Sequence, residues 1–154
     1  MVKNLPENVR VGVIVVAVGG TKIELFDQNS YQSYLNGSAE SWVKSWAAEY
    51  GNNAYKRLVD MAKIAQEEGV IKGILLHQGC TDNGQRDWPE RVKTVYERLL
   101  AELNLTAEQK KKNRSGSLHC QCYGADESTS QGIKRLYSQI VGSSLYNFRL
   151  SIRC

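Results

Sequence analysis

Proline and histidine occur only twice each, and no apolar run approaches the roughly 20 residues that a membrane-spanning helix needs. The longest such run, residues 11–18, is the length of a strand. Cysteine is sparse and uneven: Cys80 stands alone, while Cys120, Cys122 and Cys154 crowd the last third. That spacing does not describe a disulfide scaffold, and it leaves the redox compartment open. The first residues, Met1-Val2-Lys3, run straight into the polar turn Pro6-Glu7-Asn8 and do not read as a signal peptide. Internal repeats are absent, as are the third glycine of a dinucleotide fingerprint and the lysine of a P-loop, so a nucleotide site is poorly supported.

What remains fits a soluble globular domain: 154 residues, 42% hydrophobic and 23% charged, enough for one core. The net charge of +4 is not shared evenly. Residues 1–103 carry 12 basic and 13 acidic side chains, whereas residues 104–154 carry 8 and 3. All the basicity therefore sits in the tail, and the two parts are read separately.

In the first part, residues 9–18 (VRVGVIVVAV) are rich in β-branched side chains and apolar on both faces, the pattern of a strand buried in a parallel sheet. Gly19-Gly20 ends the run, and the polar stretch 28–37 reads as a surface loop. Residues 38–50 hold Trp42 and Trp46 at helical spacing and predict a short helix or part of a lid. Residues 53–68 predict an amphipathic helix with Tyr55, Leu58, Val59, Ala62 and Ala65 on one stripe and Gly69 as its C-cap. Residues 71–76 (IKGILL) read as the next buried strand. After the polar loop 77–87, residues 88–103 predict a second helix with Pro89 in its first turn and Val92, Val95, Tyr96, Leu99 and Leu103 inward.

This βαβα alternation predicts an α/β fold: part of a three-layer arrangement, a parallel sheet with flanking helices. In such folds the loops leaving the carboxyl ends of strands build the active site. Here those loops are Gly19-Gly20-Thr21 and the segment running from His77, Gln78 and Gly79 through Cys80 to Asp82. Glycines at a strand end let the backbone turn tightly and aim N–H groups at an anion, although a plain strand-to-loop turn uses them equally. The amide of Gln78 has two donors suited to a developing oxyanion, and Gly79 lets a substrate approach the backbone. His77 in this position is equally a supporting residue.

Past Thr106 the tail is poorly defined, with weak helical spacing over 133–141 and a strand-like stretch over 144–152. His119-Cys120-Gln121-Cys122 lacks both the usual two-residue gap between thiolates and a second ligand pair, so no metal site is expected. Lys110-Lys111-Lys112 and Arg114 lie outside any recognised nucleic-acid module and read as a solvated basic turn.

Three segments resemble the sialate O-acetylesterase and acetylxylan esterase family, a branch of the SGNH-type hydrolases: residues 11–27 (VGVIVVAVGGTKIELFD), 69–84 (GVIKGILLHQGCTDNG) and 88–105 (WPERVKTVYERLLAELNL). The second is the most specific. The resemblance implies an SGNH/flavodoxin-like fold and removal of O-acetyl groups from sialic acid, xylan or similar glycans by a Ser–His mechanism, without a cofactor. It matches Gly19, Gly20 and Thr21 to one oxyanion-side loop and His77, Gln78 and Gly79 to the other. Gly20 and Gln78 are then the expected oxyanion donors, with His77 and Asp82 supporting the loop.

The departures are equally specific. The family's Gly-Gln-Ser-Asn block with the nucleophile and its late Asp-x-x-His block with the base are both missing, so no catalytic residue is identified and little turnover is expected of this chain alone. Cys80 stands where the family commonly has Glu. The resemblance stops at about residue 105, giving a partial esterase domain over 1–105 and a tail over 106–154 that is divergent, inserted or read from a shifted frame. The expectation is therefore the middle piece of a longer enzyme. Family members are often secreted or periplasmic, but this chain offers no leader on which to base a location. The competing reading is a non-catalytic carbohydrate-binding module on the same scaffold, with Trp42, Trp46, Tyr31 and Tyr34 as a stacking surface, although helical spacing favours core packing for the tryptophans. An acetylated carbohydrate is the expected partner, with neither nucleic acid nor membrane, and oligomeric state is left open.

Overall fold

A computed structural model describes residues 6–74 and 76–105. The expectations for residues 106–154, namely the basic turn, the His119–Cys122 cluster and the two weak elements, lie outside the described residues. A 3-10 helix over Ile23–Phe26 is followed by α1 (Tyr31–Asn36), α2 (Ser41–Glu49), α3 (Ala54–Glu68) and α4 (Trp88–Glu102).

The long helices form where the apolar spacing places them. In α3 the side chain of Asn53 accepts the Lys56 backbone N–H at 2.8 Å, capping the first turn. Val59 and Ala62 are buried, while Lys56 and Asp60 pair on the exposed face at 2.5 Å. In α4, Pro89 occupies the first turn, where its missing N–H has no helical partner to lose. The stripe of Val92, Leu99 and Leu100 is buried.

Helix α1 replaces the surface loop expected over 28–37. Asp27 organises its start: its carboxylate accepts from the Asn29 N–H at 3.0 Å and the Ser30 hydroxyl at 2.8 Å, and its carbonyl accepts from the Tyr31 N–H at 2.9 Å. Tyr34 and Leu35 then turn inward and are buried. Tyr31, Tyr34 and Leu35 recur at the helical interval, a signal masked by the surrounding Asn, Ser and Gly.

The α/β architecture with a parallel, SGNH/flavodoxin-like sheet is not what forms. About half of the described residues are helical, and among them no ladder of paired strands exists; Leu76 carries an isolated bridge. Residues 9–18 are not buried on both faces either. Val13 and Val15 are 76% and 73% exposed, whereas Val18 is 6% exposed and Ile14 and Val16 are half-buried. β-Branched composition measures fit to a pleated, packed surface, and it becomes a strand only where a neighbour supplies the ladder.

Two apolar clusters hold the described residues together. One joins Val18 and Leu25 to Tyr34 and Leu35 of α1 and to Val43 and Ala47 of α2. The other joins Tyr55, Val59 and Ala62 of α3 to Leu99, Leu100 and Leu103, with Ile14, Ile71 and Ile74 packed against it. Helix α3 belongs to both, since Ala54 sits in the first and Tyr55 in the second. Side-chain bonds lock α3 to the end of α4: Tyr55 donates its hydroxyl to Glu102 at 3.1 Å, and Gln66 donates its amide to the Leu103 carbonyl at 2.9 Å. Burial, then the Glu102 carboxylate, pushes the Tyr55 phenol well above its ordinary range.

Candidate functional site

The loop at 19–21 enters the first cluster through Val18 and leaves it through the 3-10 helix. The loop at 77–82 lies between Leu76 and a series of turns that ends in α4. Its turns are closed by Asp82 N–H to Gly79 O at 3.1 Å, Gln85 N–H to Asp82 O at 2.9 Å, and Trp88 N–H to Gln85 O at 3.3 Å. Each loop is thus anchored by packed elements on both sides.

The structure brings these two loops together. The Thr81 hydroxyl donates to the Gly20 carbonyl at 2.7 Å, and the Gln78 amide donates to the Thr21 carbonyl at 3.3 Å. Gln78 also donates to the Asp82 carboxylate, and its own carbonyl accepts the Trp88 indole N–H at 2.5 Å. Both Asp82 carboxylate oxygens accept the Ile23 backbone N–H, at 3.2 and 3.1 Å, across 59 residues of chain. Thr21 is buried as well, its hydroxyl 3.4 Å from that of Tyr34. The Tyr34 hydroxyl also accepts the Lys22 N–H at 3.4 Å.

Gln78 and Asp82 are therefore structural ties. An uncharged amide has two N–H donors, and both of Gln78's point at protein oxygens. Asp82 is 1% exposed. Burial pushes its carboxyl above the ordinary 3.8, and the bonds from Gln78 and the Ile23 N–H oppose that only in part, with Glu24 nearby adding to the rise. His77 is exposed at the rim, beside the buried Gln78 and Gly79. Gly79 has a φ of 124°, which suits glycine alone.

Gly20 presents the opposite character. It is exposed, its φ is 63°, and a Cβ there would lie 2.6 Å from Cη2 of Trp42. Its carbonyl, not its N–H, makes the bond that ties it to the other loop. Gly19 lies beneath the other α2 tryptophan, a Cβ there meeting Trp46 Cζ3 at 3.7 Å. These tryptophans are not core residues: Val43 and Ala47 occupy the buried stripe of α2, leaving Trp42 and Trp46 41% and 47% exposed.

The flank of the junction is charged. Arg91 of α4 donates to Asp87 at 2.6 Å and lies 4.0 Å from Glu24 on the 3-10 helix. Its guanidinium holds the Asp87 carboxyl below the ordinary carboxylate value. Two cavities, of about 590 and 310 Å³, open elsewhere, the first beside Tyr31, Lys44 and Asn52 and the second beside Tyr55, Lys63 and Glu102. Neither is lined by the two loops.

Thr81, Tyr34 and Trp88 complete the junction without having been singled out for it. Trp88 was legible only as the first residue of a helix, yet its place directly after a polar loop is where an indole N–H can reach back into that loop. Among the described residues no group of three or more His, Cys, Asp or Glu side chains is arranged to hold a metal ion. None of their helices is long and apolar enough to cross a membrane.

Two loops thus close on one another, one burying a carboxylate and the other presenting an exposed glycine turn. The family comparison supplies the class. Residues 1–110 match the family described as carbohydrate esterase, sialic acid-specific acetylesterase (SASA), and the chain belongs to that family. No solved structure matches the chain.

Proposed function

We propose that this chain provides the substrate side of an acetylesterase that removes O-acetyl groups from sialic acid, xylan or a related glycan, and that it turns over little or no ester by itself. The observation supporting the first half is the closure of the 77–82 loop on the Gly20-Thr21 turn in a chain of the carbohydrate esterase family. Hydrolysis of an acetyl ester passes through a tetrahedral oxyanion, and preorganised N–H donors stabilise it. On this reading the N–H of the exposed Gly20 is the donor that faces the ester. Gln78 and Asp82 act one step back, fixing the turn so that its N–H cannot swing away. Inactivity follows from chemistry: without a Gly-Gln-Ser-Asn block and an Asp-x-x-His block, no activated serine is identified to form an acyl-enzyme.

The test uses the full chain and an O-acetylated sialic acid. Saturation-transfer NMR is expected to show the acetyl methyl protons in contact with the protein, while acetate release stays at the buffer rate. Absence of any methyl signal overturns the substrate assignment. Saturable acetate release would instead reveal a nucleophile outside the two missing blocks.

A further inference from the structure

The tryptophan pair on α2 is the largest exposed aromatic feature among the described residues. Trp42 and Trp46 are one helical turn apart, so both project from the same side of α2, next to the stripe of Val43 and Ala47 that packs inward. Their rings meet edge to face, with centroids 5.3 Å apart and planes at 71°. Such a pair forms a corner in which one indole edge is taken by its neighbour, part of each ring is covered by the glycine turn, and the rest is exposed. The corner stands directly over the Gly19-Gly20 turn, since Trp42 closes on Gly20 and Trp46 on Gly19.

We propose that Trp42 and Trp46 form a stacking wall for the pyranose ring of the glycan, beside the turn that receives its acetyl ester. The inference rests on the esterase reading for the identity of the ring, but it assigns a separate recognition element. A pyranose presents a face of C–H bonds that packs on an aromatic surface, while its hydroxyl groups remain in water. Size favours this occupant over a protein. The exposed parts of two indoles amount to roughly 200 Å², whereas a stable protein interface buries about 800 Å² on each side. One sugar ring matches the smaller figure. Continuity with the turn supplies the second argument, because a ring seated on the corner lies within an ester's length of the Gly20 backbone.

A consequence separates this wall from acetyl recognition. The wall contacts the ring, so the same sugar without its acetyl group still binds. The experiment is a titration of tryptophan emission in the full chain with an O-acetylated sialic acid, with the unacetylated sugar, and with an acetylated xylo-oligosaccharide. Trp88 is 4% exposed and bonded to Gln78, so the two alanine variants assign any change to the exposed pair or to Trp88. The expected result is a saturable change with at least one sugar that persists for its unacetylated form. It is weakened about tenfold or more by Trp46→Ala, the loss of one stacked ring, and similarly by Trp42→Ala, with the helical circular dichroism of both variants intact.

Emission indifferent to every sugar overturns the proposal, as does binding that Trp46→Ala leaves unchanged. A concentration-dependent dimer that either substitution dissolves overturns it too, because the pair would then belong to a second copy. Ring binding without any acetyl contact would sink the esterase reading and leave the wall standing. Acetyl-dependent binding that ignores both tryptophans would do the reverse.

Discussion

The two loops of the junction occupy comparable places, each leaving an apolar segment, yet they differ in almost every physical respect. The turn at Gly19-Gly20 is exposed and contributes backbone, and its Thr21 end is anchored beside Tyr34. The loop at 77–82 buries two polar side chains, Gln78 and Asp82, and satisfies them entirely within the protein. A buried amide or carboxylate is tolerable only with full hydrogen bonding, and once that is achieved it is poorly available to a ligand. The difference teaches a division of labour: one loop is held, and the other does the holding.

The largest test of that division removes the holder. Asp82→Ala strips the partner from the Ile23 N–H and from one Gln78 N–H, and is expected to cost about 3 kcal/mol in urea unfolding. A loss below about 1 kcal/mol would mean that the loops do not depend on the carboxylate. Trp88→Phe keeps the buried ring but deletes the indole donor to Gln78, with an expected cost of about 1–2 kcal/mol. Trp88→Phe should also be less than additive with Gln78→Leu, since both act on one bond.

On the presenting side, Gly20→Ala should cost only about 1 kcal/mol, the strain of a left-handed backbone for a residue with a Cβ. Its mark is a changed Trp42 environment rather than unfolding, because the exposed indole can move away from the new methyl. Smallest and most diagnostic is pH. The folded Asp82 carboxyl titrates above the ordinary 3.8, so the folded state binds its proton more tightly than the unfolded chain. The favourable contribution is fully present below 3.8 and is lost as pH rises through the folded value. Unfolding free energy of the wild type relative to Asp82→Asn should therefore decline with pH across that window, and a flat difference would remove burial as the cause.

Much of this was legible in the residues and some was not. The helices α3 and α4 follow directly from their stripes, and their predicted ends fall within a residue or two. That Gly20, Thr21, Gln78 and Asp82 concern a single place followed from reading the two loops as the carboxyl ends of neighbouring strands, and the loops meet although those strands do not form. The sheet was misread, because residues 9–18 and 71–76 show composition but not pairing, and composition cannot supply a ladder. The role of Gln78 was legible only as a capacity to donate. Which acceptors it meets depends on Asp82, four residues on, and on a carbonyl 57 residues away. Helix α1 was hidden by its polar setting, and Trp42 and Trp46 by a spacing that serves a core stripe and an exposed flank alike.

The contact between Asp82 and the Ile23 amide tests the account most directly, since it spans the two loops and sets the environment of both. In a ¹⁵N-resolved pH titration, the Ile23 amide resonance should shift with a midpoint above 3.8 in the wild type and lose that transition in Asp82→Asn. An Ile23 amide that ignores this pH range, or one that titrates identically in both proteins, would contradict the junction on which the functional reading stands.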